Sequence, residues 1–503
     1  MQLTVHLFLR HSPPPPFFLP TKQLLFFRRS ISILAAMATN SSSVSEHVAG
    51  AWYSVPELRL RDHRFTVPLD YSQSQSQSPK ISVFAREAVA VGKEDHSLPY
   101  LLYLQGGPGF ESPRPTEASG WLSKACEEHR RGTGLSTPLT TSSMLQMKSA
   151  QELVDYLKHF RADNIVNDAE FIRKRLVSDA GPWKVLGQSF GGFCGVTYLS
   201  FAPHGLKEVY LTGGIPPIGD GCTAEAVYKA CIGPLVLQNE KYYKRYPQDI
   251  EIIRDVVNYL AESEGGGVPL PSGGILTPRG LQLLGLSGLE ASTGFERLHY
   301  LYTIIHSLIF INTPFERVWD PVIVPGAKKQ ISYFFLNSFE KWLSFDTNPL
   351  YALMHESIYC QGAASRWAAN RVREEHESKL DAVKAAIEGR PVLLTGEMVF
   401  PWMFDEIHAL RPFKEAANLL AEKKDWPPLY NKIALNNNKV PVAAAVYYED
   451  MFVNFNLATE TAAQIAGIRL WVTNEYMHSG LRDGATHVLD HLMSMLNGKK
   501  PLF

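Results

Sequence analysis

The sequence predicts a doubly wound α/β fold, a mostly parallel sheet with helices on both faces and a large helical cap inserted before its last strands. Three observations predict it. Short apolar runs ending in glycine, LPYLLYLQGGPGF and PWKVLGQSFGG, read as buried parallel strands feeding loops. Strand patterns alternate with helical ones on both sides of a long interruption. From about Gly219 to Asn438 the pattern is helical and rich in aromatics, broken by the loop EGGGVPLPSGG. These shifts divide the chain into a leader (1–45), a first core part (46–218), a cap (219–438) and a second core part (439–503).

In order, ELRLRDHRFTVPLDY and KISVFAREAVAV alternate as strands, and the polar SQSQSQS between them makes a hairpin tip. Ser149 to Asp179 contains one or two amphipathic helices, with Leu153, Leu157, Phe160 and Ile165 at helical spacing. LKEVYLTGGIPP is a further buried strand. VPVAAAVYYED and IRLWVTNEYMH are the last two strands, and THVLDHLMSML is a closing helix.

Composition excludes several classes. With 503 residues, 45% hydrophobic content and a net charge of −1, nothing favours nucleic acid or an anionic membrane as partner. No apolar run reaches the span of about 18 residues that a bilayer requires. The five cysteines are odd in number and lack a CxxC pair, which argues for a reducing compartment and against a zinc site. No phosphate loop, dinucleotide fingerprint or metal cluster is present, so neither cofactor nor metal is expected. Met1 to Ser45 holds no Asp or Glu but includes Arg10, Lys22, Arg28 and Arg29. Such an acid-free, Ser-rich leader resembles a transit peptide, which implies a chloroplast or mitochondrion; a start at Met37 implies the cytoplasm.

Gly187-Gln188-Ser189-Phe190-Gly191 fits G-x-S-x-G between an apolar strand and a helix, the nucleophile elbow of the α/β-hydrolase fold. Glycines flank the serine because side chains there clash with the neighbouring strand or helix. The loop Gln105-Gly106-Gly107-Pro108-Gly109 ends an earlier strand, where Gly106 and Gly107 are placed to form an oxyanion hole with Phe190. Serine is a weak nucleophile unless a histidine takes its proton and a carboxylate orients that histidine. Asp450 and His478 end the last two strands, in the chain order this fold requires. Glu449 competes as the acid; His487 and His491 compete as bases but fall within the closing helix pattern. An elbow serine excludes the aspartate-dependent epoxide hydrolases and dehalogenases.

GGPG, RGTGLSTP, GQSFGG, YYEDM and NEYMHSGLR occur in the order seen in the proline iminopeptidases (prolyl aminopeptidases), and from Trp52 onward the chain resembles their longer form with an enlarged cap. The resemblance implies release of N-terminal proline from peptides by Ser189, Asp450 and His478. It also implies acidic cap residues that hold the free imino group, and LMHESIYCQG and LLTGEMVFPWMFDE nominate Glu356 and Glu397, with Phe400 and Trp402 for the proline ring. One departure stands out. Where the family has an apolar strand before RGTGLSTP, this chain reads ACEEHRR, and about six residues, roughly one strand, are missing. Glu127, Glu128, Arg130 and Arg131 are poor substitutes in a core strand, so a defect is expected beside Leu102 to Leu104. The alternatives are a carboxylesterase with the same triad, or a catalytically impaired hydrolase-fold protein.

Overall fold

The computed structural model describes residues 45–499 apart from 75, 122–126, 129–132, 220, 305–314 and 323. The leader expectation, and Arg130 and Arg131 of the gap, lie outside the described residues.

Among the described residues, nine strands form two main sheets. Strands β1 (His47–Val55), β2 (Leu58–Pro68), β3 (Lys80–Ala90) and β5 (Glu127–Glu128) make an antiparallel sheet in the order β1-β2-β3-β5. Strands β4 (Leu101–Leu104), β6 (Trp183–Gln188), β7 (Leu206–Thr212), β12 (Val442–Tyr447) and β13 (Ile468–Thr473) make a parallel sheet in the order β13-β12-β7-β6-β4. The cap between β7 and β12 is mainly helical. It also carries two short antiparallel ladders, β8 (Val268–Pro269) with β9 (Ile275–Leu276), and β10 (Thr303–Ile304) with β11 (Phe315–Glu316).

The parallel sheet is buried on both faces, which is why its strands read as continuous apolar runs. Val185, Val209, Leu211 and Ala444 face one core with Phe193 and Val196 of the helix Phe190–Phe201. Leu186, Tyr210, Ala443 and Ala445 face the other, covered by Val488, Leu489 and Leu492 of the closing helix Ala485–Leu496. The amphipathic region after Ser149 forms two helices, Ala150–Leu157 and Ala162–Leu176. Strand β1 was not legible in the sequence. It lies at the edge of its sheet, mostly exposed, so it lacks the apolar alternation that marks β2 and β3.

The sheet is interrupted where the gap predicts. This place holds, among the described residues, the two-residue β5, pairing Glu127 and Glu128 with Arg86 and Ala85. Among the described residues, no ladder joins β4 to β3 or β5. Residues from the downstream loop satisfy the β3 edge at Ser82 and Phe84. The Ser82 N–H donates to Thr137 Oγ1 (2.8 Å), the Thr137 N–H donates to the Ser82 carbonyl (2.8 Å), and the Phe84 N–H donates to Ser136 Oγ (3.0 Å). Phe65, Val67, Ile81 and Val83 still share one apolar core with Leu102 and Leu104, and the Tyr100 hydroxyl, just before β4, donates to Glu87 of β3 (2.9 Å). Re-inserting an apolar strand of about six residues before Arg131 should therefore raise the melting temperature and soluble yield. Unchanged thermal unfolding in that variant would show that the hydroxyl-capped edge costs nothing.

Candidate active site

Strand β6 delivers Ser189 at its C-terminal end in a left-handed conformation (φ +53°, ψ −125°), and the next residue opens the helix Phe190–Phe201. A non-glycine residue held there is strained, and persists only where its surroundings over-determine it. The Ser189 N–H donates to the Thr212 carbonyl (3.0 Å), and the Ser189 carbonyl accepts from the Gly192 N–H (2.7 Å). The crossing is tight. A Cβ on Gly187 would lie 2.5 Å from the Gly191 oxygen, and one on Gly192 would lie 2.2 Å from the Gly214 oxygen.

The structure brings Ser189, His478 and Asp450 into one hydrogen-bonded chain. His478 Nε2 lies 2.9 Å from Ser189 Oγ, and Nδ1 lies 2.8 Å from Asp450 Oδ2. With Nδ1–H donating to the carboxylate, Nε2 is left to accept from the serine hydroxyl. The other aspartate oxygen, Oδ1, accepts from the N–H groups of Phe452 (2.8 Å) and Val453 (3.0 Å), which fixes the carboxylate. All three side chains are buried, with Ser189 7%, His478 6% and Asp450 2% exposed. Burial works to lower the His478 pKa, but the charge and hydrogen bond of Asp450, with Glu397 and Glu290 beyond it, outweigh burial and hold it above the ordinary imidazole value. Glu449 is turned away and pairs with Lys241, while its carbonyl accepts from Gln238. His491 stacks on Trp471 at 3.9 Å, with His487 beside the same ring, so both belong to helix packing.

The loop Gly106 to Gly109 lies directly against the nucleophile. A Cβ on Gly106 would stand 3.2 Å from the Ser189 Cβ. Gly109, at φ +87°, meets the cap, and a Cβ there would lie 2.9 Å from the Tyr351 nitrogen and 3.2 Å from the Leu350 Cβ. Phe190, the other nominated donor, is the first residue of the helix that follows Ser189, so its N–H belongs to the positive end of the helix dipole.

The nominated cap residues part company. Glu397 lines an apolar pocket formed by Val227, Tyr228, Cys231, Leu235, Tyr359, Met398, Met451 and Phe452, and its Oε1 accepts from the Tyr351 hydroxyl (2.9 Å). Phe452 also packs edge-on against His478, ring centroids 5.0 Å apart, so this pocket adjoins the triad. Glu356 is not in that pocket. Its buried carboxylate accepts from the N–H groups of Ala368 (3.2 Å) and Ala369 (2.9 Å), at the start of the helix Ala368–Glu375. The expectation of two pocket-facing glutamates is corrected to one, because the positive helix end takes the second. Phe400 and Trp402 are corrected too: they stack on each other at 5.3 Å, with Arg279 over Trp402, inside the cap. The rings that do line the pocket, Tyr228 and Tyr359, went unnamed in the sequence. The spacing Tyr351, His355, Tyr359, one side chain every helical turn, was the signal available, and these three rings do pack in succession.

Residues 129–256 match the profile of the alpha/beta hydrolase fold. The chain is 44% identical over 449 residues to a proline iminopeptidase of Aeromonas sobria, an alignment covering 88% of this chain and 98% of that one. It is 33% identical over 453 residues to proline iminopeptidase aneH of Aspergillus aculeatus, covering 87% and 94%. Among solved structures, esterase E22 aligns at 11% identity with a TM-score of 0.40, covering 87% of this chain and 99% of that one.

Two outcomes follow from this geometry. A triad histidine must be neutral to accept the serine proton, so activity is lost as pH falls through the His478 pKa, and the raised pKa moves that loss to higher pH. The acid limb of kcat/KM should accordingly lie above pH 6.5, the ordinary imidazole value, and Glu397→Gln, by removing a negative charge, should move it down. A limb unmoved by that substitution would disconnect Glu397 from the triad. Glu356→Ala should instead act on folding, costing about 1–3 kcal/mol because two buried N–H groups lose their acceptor; chemical denaturation measures it.

Proposed function

Because the chain belongs to the proline iminopeptidase family of α/β-hydrolases, we propose that it is a serine aminopeptidase that releases N-terminal proline from peptides, with Ser189 as nucleophile. In this reading Ser189 Oγ attacks the carbonyl carbon of the first residue while His478 Nε2 takes its proton and Asp450 stabilises the imidazolium. The carbonyl oxygen becomes an oxyanion facing the Gly106–Gly107 loop and the Phe190 N–H. Collapse expels the shortened peptide, whose amine takes the proton from His478. Water, deprotonated by the same histidine, then cleaves the prolyl ester and frees proline.

The observation that carries the specificity is Glu397, the carboxylate in the apolar pocket beside His478. A pyrrolidine ring fits apolar walls, while its secondary ammonium requires a negative partner once water is excluded. An esterase substrate carries no such cation to pair with this carboxylate.

The triad strands lie away from the interruption, while the Gly106–Gly109 loop follows β4, the strand beside it. Ser189, the Gly106–Gly109 loop, Asp450 and His478 follow β6, β4, β12 and β13, all members of the parallel sheet. Impaired stability is therefore compatible with an assembled triad, which disfavours the impaired-hydrolase reading.

Purified protein should hydrolyse proline β-naphthylamide and fail on the N-acetylated compound. Ser189→Ala should lower kcat by about 10⁴-fold or more. Glu397→Gln should raise KM for the free imino substrate by about tenfold or more while sparing p-nitrophenyl acetate. Faster cleavage of the ester than of the proline amide, with Glu397→Gln neutral on both, would favour a carboxylesterase.

A further inference from the structure

We propose that the seam between core and cap contains a binding site for a small monovalent anion of halide size, built on Arg161. This residue immediately precedes the core helix Ala162–Leu176 and is only 1% exposed. One guanidinium nitrogen, NH2, donates to the Cys360 carbonyl of the cap (2.5 Å), while Nε and NH1 have no hydrogen-bond partner. No ion pair among the described residues includes it. The neighbouring acid, Asp163, accepts with Oδ1 from the Asn164 N–H.

What surrounds the unpaired nitrogens is a set of further donors. The guanidinium lies 4.5 Å from the ring centroid of Trp426, whose buried indole N–H is also unpartnered. Tyr430, near enough for its hydroxyl and the Arg161 charge to influence each other, has a buried hydroxyl that faces the hydroxyl of Thr197. Lys423 stands over the same indole at 5.2 Å and adds positive charge, though it has its own partner in Asp425 (2.7 Å).

A buried arginine is ordinarily retained with a carboxylate. Here no carboxylate among the described residues stands within ion-pair distance of the guanidinium. Asp163 acts on it only through its charge and is turned to the Asn164 N–H, while water supplies hydrogen bonds but no charge. A halide accepts from several donors at once without directional lone pairs, and so suits a guanidinium edge, an indole N–H and a phenol. Such an ion would fasten the core helix to the cap segment ending at Cys360, which also carries Tyr359 of the substrate pocket. The site is separate from the triad, and its readout does not depend on the proposed peptidase activity.

The test measures thermal unfolding of the full chain in gluconate, chloride, bromide and acetate at constant ionic strength. Chloride and bromide should raise the melting temperature saturably by about 1–3 °C over gluconate. Arg161→Met should abolish the difference, and Tyr430→Phe, a milder change that keeps the ring, should shift half-saturation to higher concentration. Crystals in bromide should show an anomalous peak beside Arg161. Equal melting temperatures in chloride and gluconate, the same halide response in Tyr430→Phe and Arg161→Met as in the parent, or no bromide peak would overturn the proposal. Stabilisation by acetate and not by halides would overturn the halide assignment in favour of a carboxylate ligand.

Discussion

Ser189 holds a φ of +53° only because neighbouring backbones approach it more closely than side chains would permit. The glycines at 187, 192 and 214 are the condition for that approach: a methyl on Gly214 would lie 2.5 Å from the Ser189 oxygen. From this one turn the rest of the site follows. It lifts the hydroxyl clear of the strand, starts a helix whose positive end lies behind it, and fixes the point that the loops after β12 and β13 must reach with Asp450 and His478. Strain of this kind, of the order of 1–3 kcal/mol, is carried by the packing of β6, β7 and the helix around it.

The β3 edge shows how the same chain treats a region away from the triad. The hairpin keeps its apolar contacts with Leu102 and Leu104, yet most of a strand's hydrogen bonds are replaced by Ser136, Thr137 and the two-residue β5. A side-chain hydroxyl can satisfy a buried N–H, but it does not propagate a ladder, and it cannot bridge to β4 on the other side. Among the described residues, burial binds the two sheets and no backbone ladder does.

What was legible in the sequence was what rests on local spacing. The elbow, the glycine loop, Asp450 and His478 each sit at the end of an apolar run, and the fold places those ends together. The cap was legible only as helical. Its pocket is assembled from residues as far apart as Tyr228, Tyr359, Glu397 and Phe452, and no periodicity within one helix states which of its faces will meet β12. Glu356 shows the limit well. A glutamate beside aromatics reads as a ligand for a cation, whereas a helix beginning 12 residues later presents two N–H groups that claim it first. Phe400 and Trp402 failed for the converse reason, since large rings stabilise a cap interior as readily as they line a pocket.

The contact at Gly109 carries one more implication. The cap backbone at Leu350 and Tyr351 rests on the glycine loop with no room for even a methyl group between them, and Tyr351 in turn holds Glu397. The loop that is to receive the oxyanion thus takes its shape from a seated cap. Lifting the cap to admit a peptide would also withdraw the support behind that loop, so entry and chemistry exclude one another in time. The loop and the cap are thus fitted to one another at a single close contact, so a side chain placed at Gly109 would disturb the cap and the glycine loop together.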